Sequence, residues 1–232
     1  MRLDLYLSNR YAFSRSRAQD LIKLGSVRVN QEIMKKPSYQ VKEEDVIEVS
    51  EDLKYVSRAG EKLEDAIKTF ELDFKDKTVI DIGSSTGGFT QCSLLYGAKQ
   101  VYAYDVGYHQ MDESLRHHPK IKLFEQTNIL TVDKKVVDII LIDVSFTSIK
   151  PILKHVLGWA NYYVLLFKPQ FETTPDLVKN GVIKSEKLLN RLTSEFRVFL
   201  EEQKIKLIGY KPSDLKGKKG NQEYLFIGEY VK

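Results

Sequence analysis

Short apolar runs recur along the chain from Thr78 onward and give its clearest structural signal. Most of them are separated by segments long enough to form a helix. Alternation of this kind predicts a largely parallel sheet that is covered by helices on both faces. The last two runs are joined by a polar, glycine-bearing stretch, so we expect the final strand to run antiparallel to its neighbour. The seven predicted strands lie in TVIDIG, QVYAYDVG, IKLFEQ, VVDIILIDV, YYVLLFKP, KLIGYKP and EYLFIGEYV.

The first fifty residues show a different pattern. Apolar positions in RSRAQDLIKL, residues 15–24, follow helical spacing, with Ser14 before them and Gly25 after them. The segments SVRVN and DVIEVS then alternate as short strands. We therefore predict a small α+β domain over residues 1–50, a connector over 51–55 and a larger α/β domain over 56–232.

Composition argues against a disordered or membrane-embedded chain. The 232 residues are 42% hydrophobic and 29% charged, with a mean hydropathy of −0.33, which is typical of globular proteins. Apolar runs such as YYVLLF are too short to span a bilayer. The N-terminal segment lacks the apolar core of a secretory signal, so we expect a cytoplasmic protein without stable membrane association. The single cysteine, Cys92, excludes an internal disulfide and is expected to be buried.

Positive charge is concentrated at the start of the chain. Residues 1–36 carry eight Lys and Arg against three Asp and Glu, a net charge of +5, whereas the remaining 196 residues sum to −1. Such a surface suits a polyanionic partner, although charge alone is equally typical of a solvated helix face. Phosphate contacts that position an RNA are predicted for Arg2, Arg15, Arg17, Lys23 and Arg28.

A second basic segment, KPSDLKGKKGNQ, precedes the last predicted strand. Its lysines surround two glycines, which is typical of a flexible loop. Because the segment lies directly before Glu223, we interpret it as a lid that grips RNA rather than as an idle loop. The predicted contacts are Lys216, Lys218 and Lys219.

A glycine-rich turn, DIGSSTGGFT, follows the first strand of the larger domain. It matches the phosphate loop G-x-x-x-x-G-K-[ST] except that Phe89 replaces the lysine, and it does not match G-x-G-x-x-G either. In α/β sheets ligands bind beyond the carboxyl ends of the strands. An acid at the end of the next strand, Asp105, lies where a ribose-binding carboxylate is expected. The combination favours a nucleoside-containing cofactor, with contacts predicted from Asp81, Gly83, Ser85, Gly87, Gly88, Phe89, Asp105, Asn128 and Asp143.

Four charged residues stand at the ends of apolar elements and are candidates for catalysis: Lys62, Asp143, Lys168 and Glu223. A single lysine at a strand end is usually a surface residue. Two lysines and two acids that face one cleft indicate a site. Since a free lysine has a pKa of about 10.4, Lys168 needs desolvation or a neighbouring cation to act as a base, and Lys62 is the candidate cation. The four histidines and the lone cysteine show no ligand spacing, so no metal site is predicted.

Six ordered motifs, SRAGEKL, DIGSSTGGFT, DVGYHQM, DVSF, FKPQFE and GNQEYLF, resemble those of the TlyA (hemolysin A) family. The catalytic domain of that family is similar to FtsJ-type ribose 2′-O-methyltransferases. The N-terminal segment SRSRAQDLIKLGSVRVN resembles the alpha-L RNA-binding module, with Gln31 where that module usually has glycine.

The resemblance implies a Rossmann-like seven-stranded methyltransferase sheet, S-adenosylmethionine as cofactor and ribosomal RNA in ribosomal subunits as substrate, with a cytidine ribose as the target. It also implies a Lys–Asp–Lys–Glu catalytic set at Lys62, Asp143, Lys168 and Glu223. Three alternatives stay open at this stage: a non-enzymatic ribosome-assembly factor, a membrane-active hemolysin and a small-molecule methyltransferase.

Overall fold

The computed structural model describes residues 1–11, 15–50, 54–217 and 219–231. Its N-terminal domain packs two helices against a three-stranded sheet of order β2-β1-β3. Ala18, Leu21 and Ile22 of the predicted helix are buried in this domain's core, as their spacing requires. The predicted strands in SVRVN and DVIEVS are also confirmed. The elements are α1 (Leu3–Tyr11), α2 (Arg15–Leu24), β1 (Val27–Val29), β2 (Glu32–Ile33) and β3 (Ile47–Val49).

A tight turn at Asn30 and Gln31 joins β1 to β2. Both residues have positive φ angles, 52° and 70°, and Val29 pairs with Glu32 across the hairpin. Two left-handed residues between paired strands are the hallmark of a type I′ turn. Asn30 is suited to this conformation and its side chain also contacts Asp45. Gln31 also adopts the left-handed conformation, but unlike glycine it has a Cβ atom, which makes this conformation unfavourable. The turn is therefore strained at Gln31.

Replacing Gln31 with glycine is expected to raise the free energy of unfolding of the N-terminal domain by about 1 kcal/mol, because the left-handed strain is removed. Asn30→Gly is the matched control. It removes the hydrogen bonds that the Asn30 side chain makes with Asp45 and with the backbone of Val46, so it should not stabilise. Thermal unfolding of both variants tests the difference, and a gain from Asn30→Gly alone would contradict this account.

The larger domain is built on a seven-stranded sheet of order β6-β5-β4-β7-β8-β10-β9. All neighbouring pairs are parallel except those of β10, which runs antiparallel to both β8 and β9. The predicted α/β fold with a reversed final strand is therefore confirmed. The strands are β4 (Thr78–Ile82), β5 (Gln100–Tyr104), β6 (Ile121–Phe124), β7 (Ile139–Ile142), β8 (Tyr162–Phe167), β9 (Ile205–Pro212) and β10 (Tyr224–Tyr230).

Helices cover both faces of this sheet and create two apolar cores. Ile80 of β4 faces one core and Val79 faces the other, as successive side chains on a strand must. This is why the central strands are apolar at nearly every position. None of the helices in the described ranges is long and apolar enough to cross a membrane. The helices are α3 (Arg58–Phe70), α4 (Gly88–Leu95), α5 (Glu113–Arg116), α6 (Ile149–His155) and α7 (Glu186–Glu202).

The order of the strands determines where a ligand can bind. The chain passes from β4 to β5 on one side and later to β7 on the other side of β4. The carboxyl end of β4, at Ile82, is therefore the switch point at which α/β sheets open a crevice. The first glycine of the glycine-rich turn, Gly83, is the next residue.

The residues between the two domains are described only in part, since 51–53 lie outside the described ranges. Tyr55, at the end of the predicted connector, is 2% exposed and packs in the same core as Leu63 and Phe89. The domain boundaries otherwise remain a prediction. Cys92 lies in α4, directly after the glycine-rich turn, and is fully buried, as expected from the sequence.

Candidate active site

The glycine-rich turn is shaped by close contacts within the protein. Gly83 and Gly87 have φ angles of 83° and 95°, which only glycine adopts without strain. A Cβ atom on Gly83 would lie 2.5 Å from the carbonyl oxygen of Asp143. One on Gly88 would lie 2.3 Å from Oγ of Ser57. These glycines therefore let the turn bend sharply and pack against neighbouring elements while its backbone stays at the mouth of the crevice.

Asp81, at the end of β4, is a fully buried carboxylate beneath the turn. Its Oδ2 accepts a hydrogen bond of 2.6 Å from Oγ1 of Thr90. Its Oδ1 has no hydrogen-bond partner among the described residues, and neither does Oγ of Ser84. Burial, together with the nearby carboxylates of Asp143 and Asp105, raises the pKa of Asp81 to about 7. Asp81, which was predicted to contact the cofactor, lines neither of the two cavities in this region, so its charge could act on a ligand at the turn only from beneath it.

The raised pKa of Asp81 has a measurable effect on stability. The carboxyl titrates near its ordinary value of 3.8 in the unfolded chain and at about 7 in the folded protein. Between these two pH values the native state binds more protons than the unfolded state does. The contribution of Asp81 to the free energy of unfolding therefore falls as the pH rises from about 4 to about 7. The wild type should therefore lose about 3 kcal/mol in free energy of unfolding from this group as the pH rises from 5 to 8. Asp81→Asn lacks the titrating group, so its free energy of unfolding should rise by that amount relative to wild type over the same pH range. Urea titrations at both pH values test this, and parallel pH curves would contradict it.

Asp105 joins two loops at the carboxyl end of β5. Its Oδ2 accepts a 2.8 Å hydrogen bond from the amide of Ser85, and its Oδ1 accepts one of 2.7 Å from the amide of Gly107. Each carboxylate oxygen can accept a further hydrogen bond from a ligand hydroxyl. Oδ1 of Asn128 accepts a hydrogen bond from the amide of Leu130 and so caps a short 3-10 turn. Asp105 and Asn128 line one cavity of about 720 Å³.

The four predicted catalytic residues line a second cavity of about 630 Å³. They form two ion pairs there. Nζ of Lys168 lies 2.6 Å from Oδ1 of Asp143, and Nζ of Lys62 lies 2.5 Å from Oε2 of Glu223. The first pair is a close ionic contact without hydrogen-bond geometry, and Nζ of Lys168 instead donates a 2.8 Å hydrogen bond to Oγ of Ser145. All four side chains are largely buried.

The two cavities adjoin along a shared seam. The residues that line both are Gly83, Ser85, Asp143, Ser145 and Phe146. Phe146 is 90% exposed and has a φ angle of 66°, and its ring lies 5.5 Å from that of Phe171. Sequence reasoning did not identify Ser145, because an uncharged serine in a loop gives no signal apart from its place in the DVSF motif. Asp143 is the only predicted catalytic residue on the seam.

Phe89, which was predicted to contact the cofactor, is 2% exposed and packs in the core beneath the turn, although it is also among the residues that line the second cavity. Within the described ranges, no three His, Cys, Asp or Glu side chains are close enough to hold a metal ion.

Comparison with known families identifies the chain. The sequence profile of the FtsJ-like methyltransferase family matches residues 55–230, and that of the S4 domain matches residues 1–47. The chain belongs to the FtsJ-like methyltransferase family. The S4 domain and the relatives described next confirm the resemblance to the TlyA (hemolysin A) family that the ordered motifs indicated.

This FtsJ-like methyltransferase has relatives that match it over nearly their whole length. It is 41% identical to "Hemolysin A" of Brachyspira hyodysenteriae, covering 97% of this chain and 98% of the relative. It is 34% identical to "23S rRNA (cytidine-2'-O)-methyltransferase TlyA" of Campylobacter jejuni, covering 100% of both. Among solved structures, "Putative hemolysin from Streptococcus thermophilus" superposes with a TM-score of 0.80 at 32% identity, covering 100% of this chain and 89% of that one.

Three predicted RNA contacts in the S4 domain are engaged within the methyltransferase itself. Arg2 binds Asp4 through two hydrogen bonds of 2.9 Å, and Arg15 lies 3.3 Å from the same carboxylate. Asp4 is fully buried, and these hydrogen bonds hold the pKa of its carboxyl well below the usual range. Arg17 pairs at 2.5 Å with Asp112 of the catalytic domain.

The other predicted RNA contacts of the methyltransferase lie at the surface or around the second cavity. Arg28 is exposed and its guanidinium donates to the backbone oxygen of Gln31. Lys216 and Lys219 are exposed as well. Lys23 and Lys219 line the cavity that holds the two ion pairs, whereas Lys218 lies outside the described residues.

Proposed function

We propose that this methyltransferase transfers the methyl group of S-adenosylmethionine to the 2′-hydroxyl of a cytidine in ribosomal RNA. The observation that supports this most directly is the pair of adjoining cavities that meet at Asp143. One has the groups that a nucleoside cofactor needs, and the other holds two lysine–carboxylate pairs. The curated relative from Campylobacter jejuni bears the name of this activity on 23S rRNA. A protein that acts on ribosomes would work in the cytoplasm.

The residues at the turn fit the proposed cofactor. Oγ of Ser84, which has no hydrogen-bond partner among the described residues, lines the second cavity at the glycine-rich turn, where the cationic methionine end would sit. Asp81 would act on that cation from beneath the turn, without contact. Asp105 has acceptor capacity for ribose hydroxyls. Asn128 and the exposed Val106 line the same cavity and would contact the adenine. When bound there, S-adenosylmethionine supplies an electrophilic methyl group on its sulfonium.

Lys168 is the proposed general base. Its Nζ lines the second cavity and lies between Asp143 and Ser145, two of the residues that form the seam. In our mechanism the reactive form is the one in which Lys168 has lost its proton to solvent, and its neutral amine accepts the proton of the ribose 2′-hydroxyl as that oxygen becomes the nucleophile. Asp143 then stabilises the ammonium that forms, and Ser145 holds the amine in line with the hydroxyl.

Lys62 and Glu223 form the opposite part of the proposed site. Because each neutralises the other, the pair can enter a largely buried position without leaving an isolated charge. Nζ of Lys62 retains donors, and the carboxylate of Glu223 retains acceptor positions. We propose that the pair binds the neighbouring hydroxyl and oxygen atoms of the target ribose. Phe146, exposed on the seam, would contact the target base.

Methylation of purified ribosomal subunits tests the proposal. Subunits from cells in which this gene is deleted are incubated with methyl-labelled S-adenosylmethionine and either wild-type or Lys168→Ala protein. We expect label in ribosomal RNA only with wild type, and nuclease digestion followed by mass spectrometry should place it on the ribose of a cytidine. Label on a base, or no label despite measurable cofactor binding, would contradict the proposal. If millimolar S-adenosylmethionine does not bind, a non-enzymatic assembly factor is favoured.

A further inference from the structure

Helix α2 of the S4 domain docks on the catalytic domain through two ion pairs of opposite polarity. Nη1 of Arg17 lies 2.5 Å from Oδ2 of Asp112, and Oδ1 of Asp20 lies 3.0 Å from Nε of Arg58. Positions 17 and 20 are three residues apart, so they share one face of the helix. The four side chains are at most 26% exposed. The cation of α2 faces an anion of the catalytic domain, and the anion of α2 faces a cation of that domain. A shift of the helix would bring like charges together, so the two pairs fix its register.

Both ion pairs end beside the glycine-rich turn. The amide of Asp112 donates a 3.2 Å hydrogen bond to the carbonyl of Thr86, which lies in the turn. Arg58 follows Ser57, the residue whose Oγ packs against Gly88 on the other side of the turn. The S4 domain is therefore attached to the two flanks of the segment that carries the cofactor site.

The docked helix also forms a wall of the catalytic cavity. Gln19, Asp20 and Lys23 of α2 line the same cavity as Lys62 and Lys168. Lys23 thus brings a cation from the RNA-binding domain into the space where the target ribose would enter. A domain that only tethered the substrate would need neither this placement nor a fixed register.

We infer that the S4 domain is a structural part of the active site. In this arrangement Lys23 binds a phosphate of the target strand inside the catalytic cavity, and the Arg17–Asp112 and Asp20–Arg58 pairs set its distance from Lys168. Lys23 is a substrate-positioning residue. Asp112 acts on it through Arg17, while its other carboxylate oxygen caps α5 at Ser114. This inference rests on the proposed RNA methyltransferase function.

The first test compares two lysines of the same domain by single-turnover methylation of the subunits described above. Lys23→Met should lower the rate at saturating RNA by about tenfold, since the target strand is misplaced at the base. Lys35→Met is the matched control, because Lys35 is exposed and does not line the cavity. It should leave that rate unchanged. Equal rates for the two variants, or an effect of Lys23→Met on RNA affinity alone, would overturn the inference.

The second test exchanges the charges of one ion pair. Arg17→Glu places two carboxylates together and should slow single turnover by about tenfold. The double variant Arg17→Glu, Asp112→Arg restores an ion pair but removes the cap of α5, so it should recover part of that loss. Circular dichroism establishes that each variant is folded. A double variant as slow as Arg17→Glu, or an unchanged rate for Arg17→Glu, would contradict a positioning role. If wild type itself transfers no methyl group, the proposed function fails instead.

Discussion

Arginine in place of Lys168 is expected to lower the rate of methyl transfer by about a thousandfold while leaving cofactor affinity unchanged. Arginine keeps the positive charge that faces Asp143 at 2.6 Å, but its guanidinium does not lose a proton at any ordinary pH. A positioned general base contributes roughly a hundredfold to ten-thousandfold to a rate. Lys168→Arg therefore separates proton transfer from charge stabilisation, which Lys168→Ala does not.

Rates are best measured in single turnovers on ribosomal subunits, with calorimetric titration of S-adenosylhomocysteine as the control for an intact cofactor site. Lys150→Arg provides a matched substitution, because Lys150 lies in α6 and does not line either cavity. Near wild-type activity in Lys168→Arg would show that this lysine acts by charge alone, and the proposed base would have to be another group.

Removing Lys62 is expected to lower the free energy of unfolding by about 3 kcal/mol. The pair with Glu223 is 9% and 6% exposed, and removing one partner of a buried pair leaves an uncompensated charge in the interior. Methionine in Lys62→Met fills the space of the aliphatic part of the lysine side chain but leaves the carboxylate of Glu223 without its charged partner. The additional change Glu223→Gln removes that charge, so the double variant should regain at least half of the loss.

Urea unfolding of the two variants and of wild type measures these differences, and methylation assays of the same samples separate stability from function. We expect both variants to be inactive, because both remove the proposed ribose contacts. A double variant less stable than Lys62→Met would show that the carboxylate has other partners. Recovery of activity together with stability would show that the pair is structural and does not contact the substrate.

The sequence was sufficient for the fold of the larger domain because its central strands are buried on both faces. Ile80 and Val79 enter different cores, and such runs are difficult to place in any other structure. The reversal of the last strand followed from the lack of a helix between the final two runs. The strained hairpin at Gln31 was visible only as an exception to the usual glycine, since the sequence does not give a φ angle.

The candidate site was predicted as four residues that face one cleft, with Asp143 beside Lys168, but the direct contact between Lys62 and Glu223 was not predicted. Lys62 and Glu223 are 161 residues apart in the chain, and their contact depends on how α3 and β10 meet in space. Lys62 was expected to act on Lys168, yet its nearest charge is Glu223. Ser145 carries no charge, and its contact with Nζ of Lys168 could be found only once the position of that lysine was known.

Charge counting was least informative in the S4 domain. Arg2 and Arg15 contributed to the basic surface in the sequence, but a buried acid such as Asp4 must be compensated. The positions of acids in the folded domain decide which arginines remain for RNA. Net charge along a segment does not contain that information.

The single thiol of the chain gives direct access to motions near the cofactor turn. Burial raises the pKa of Cys92 to about 12 and shields its sulfur from solvent, so an alkylating reagent can modify it only when α4 detaches from the sheet. The labelling rate in native buffer therefore measures how often this local opening occurs. A small molecule that occupies the turn at the start of this helix should lower the labelling rate, so its binding can be detected without RNA, radioactive label or a catalytic assay.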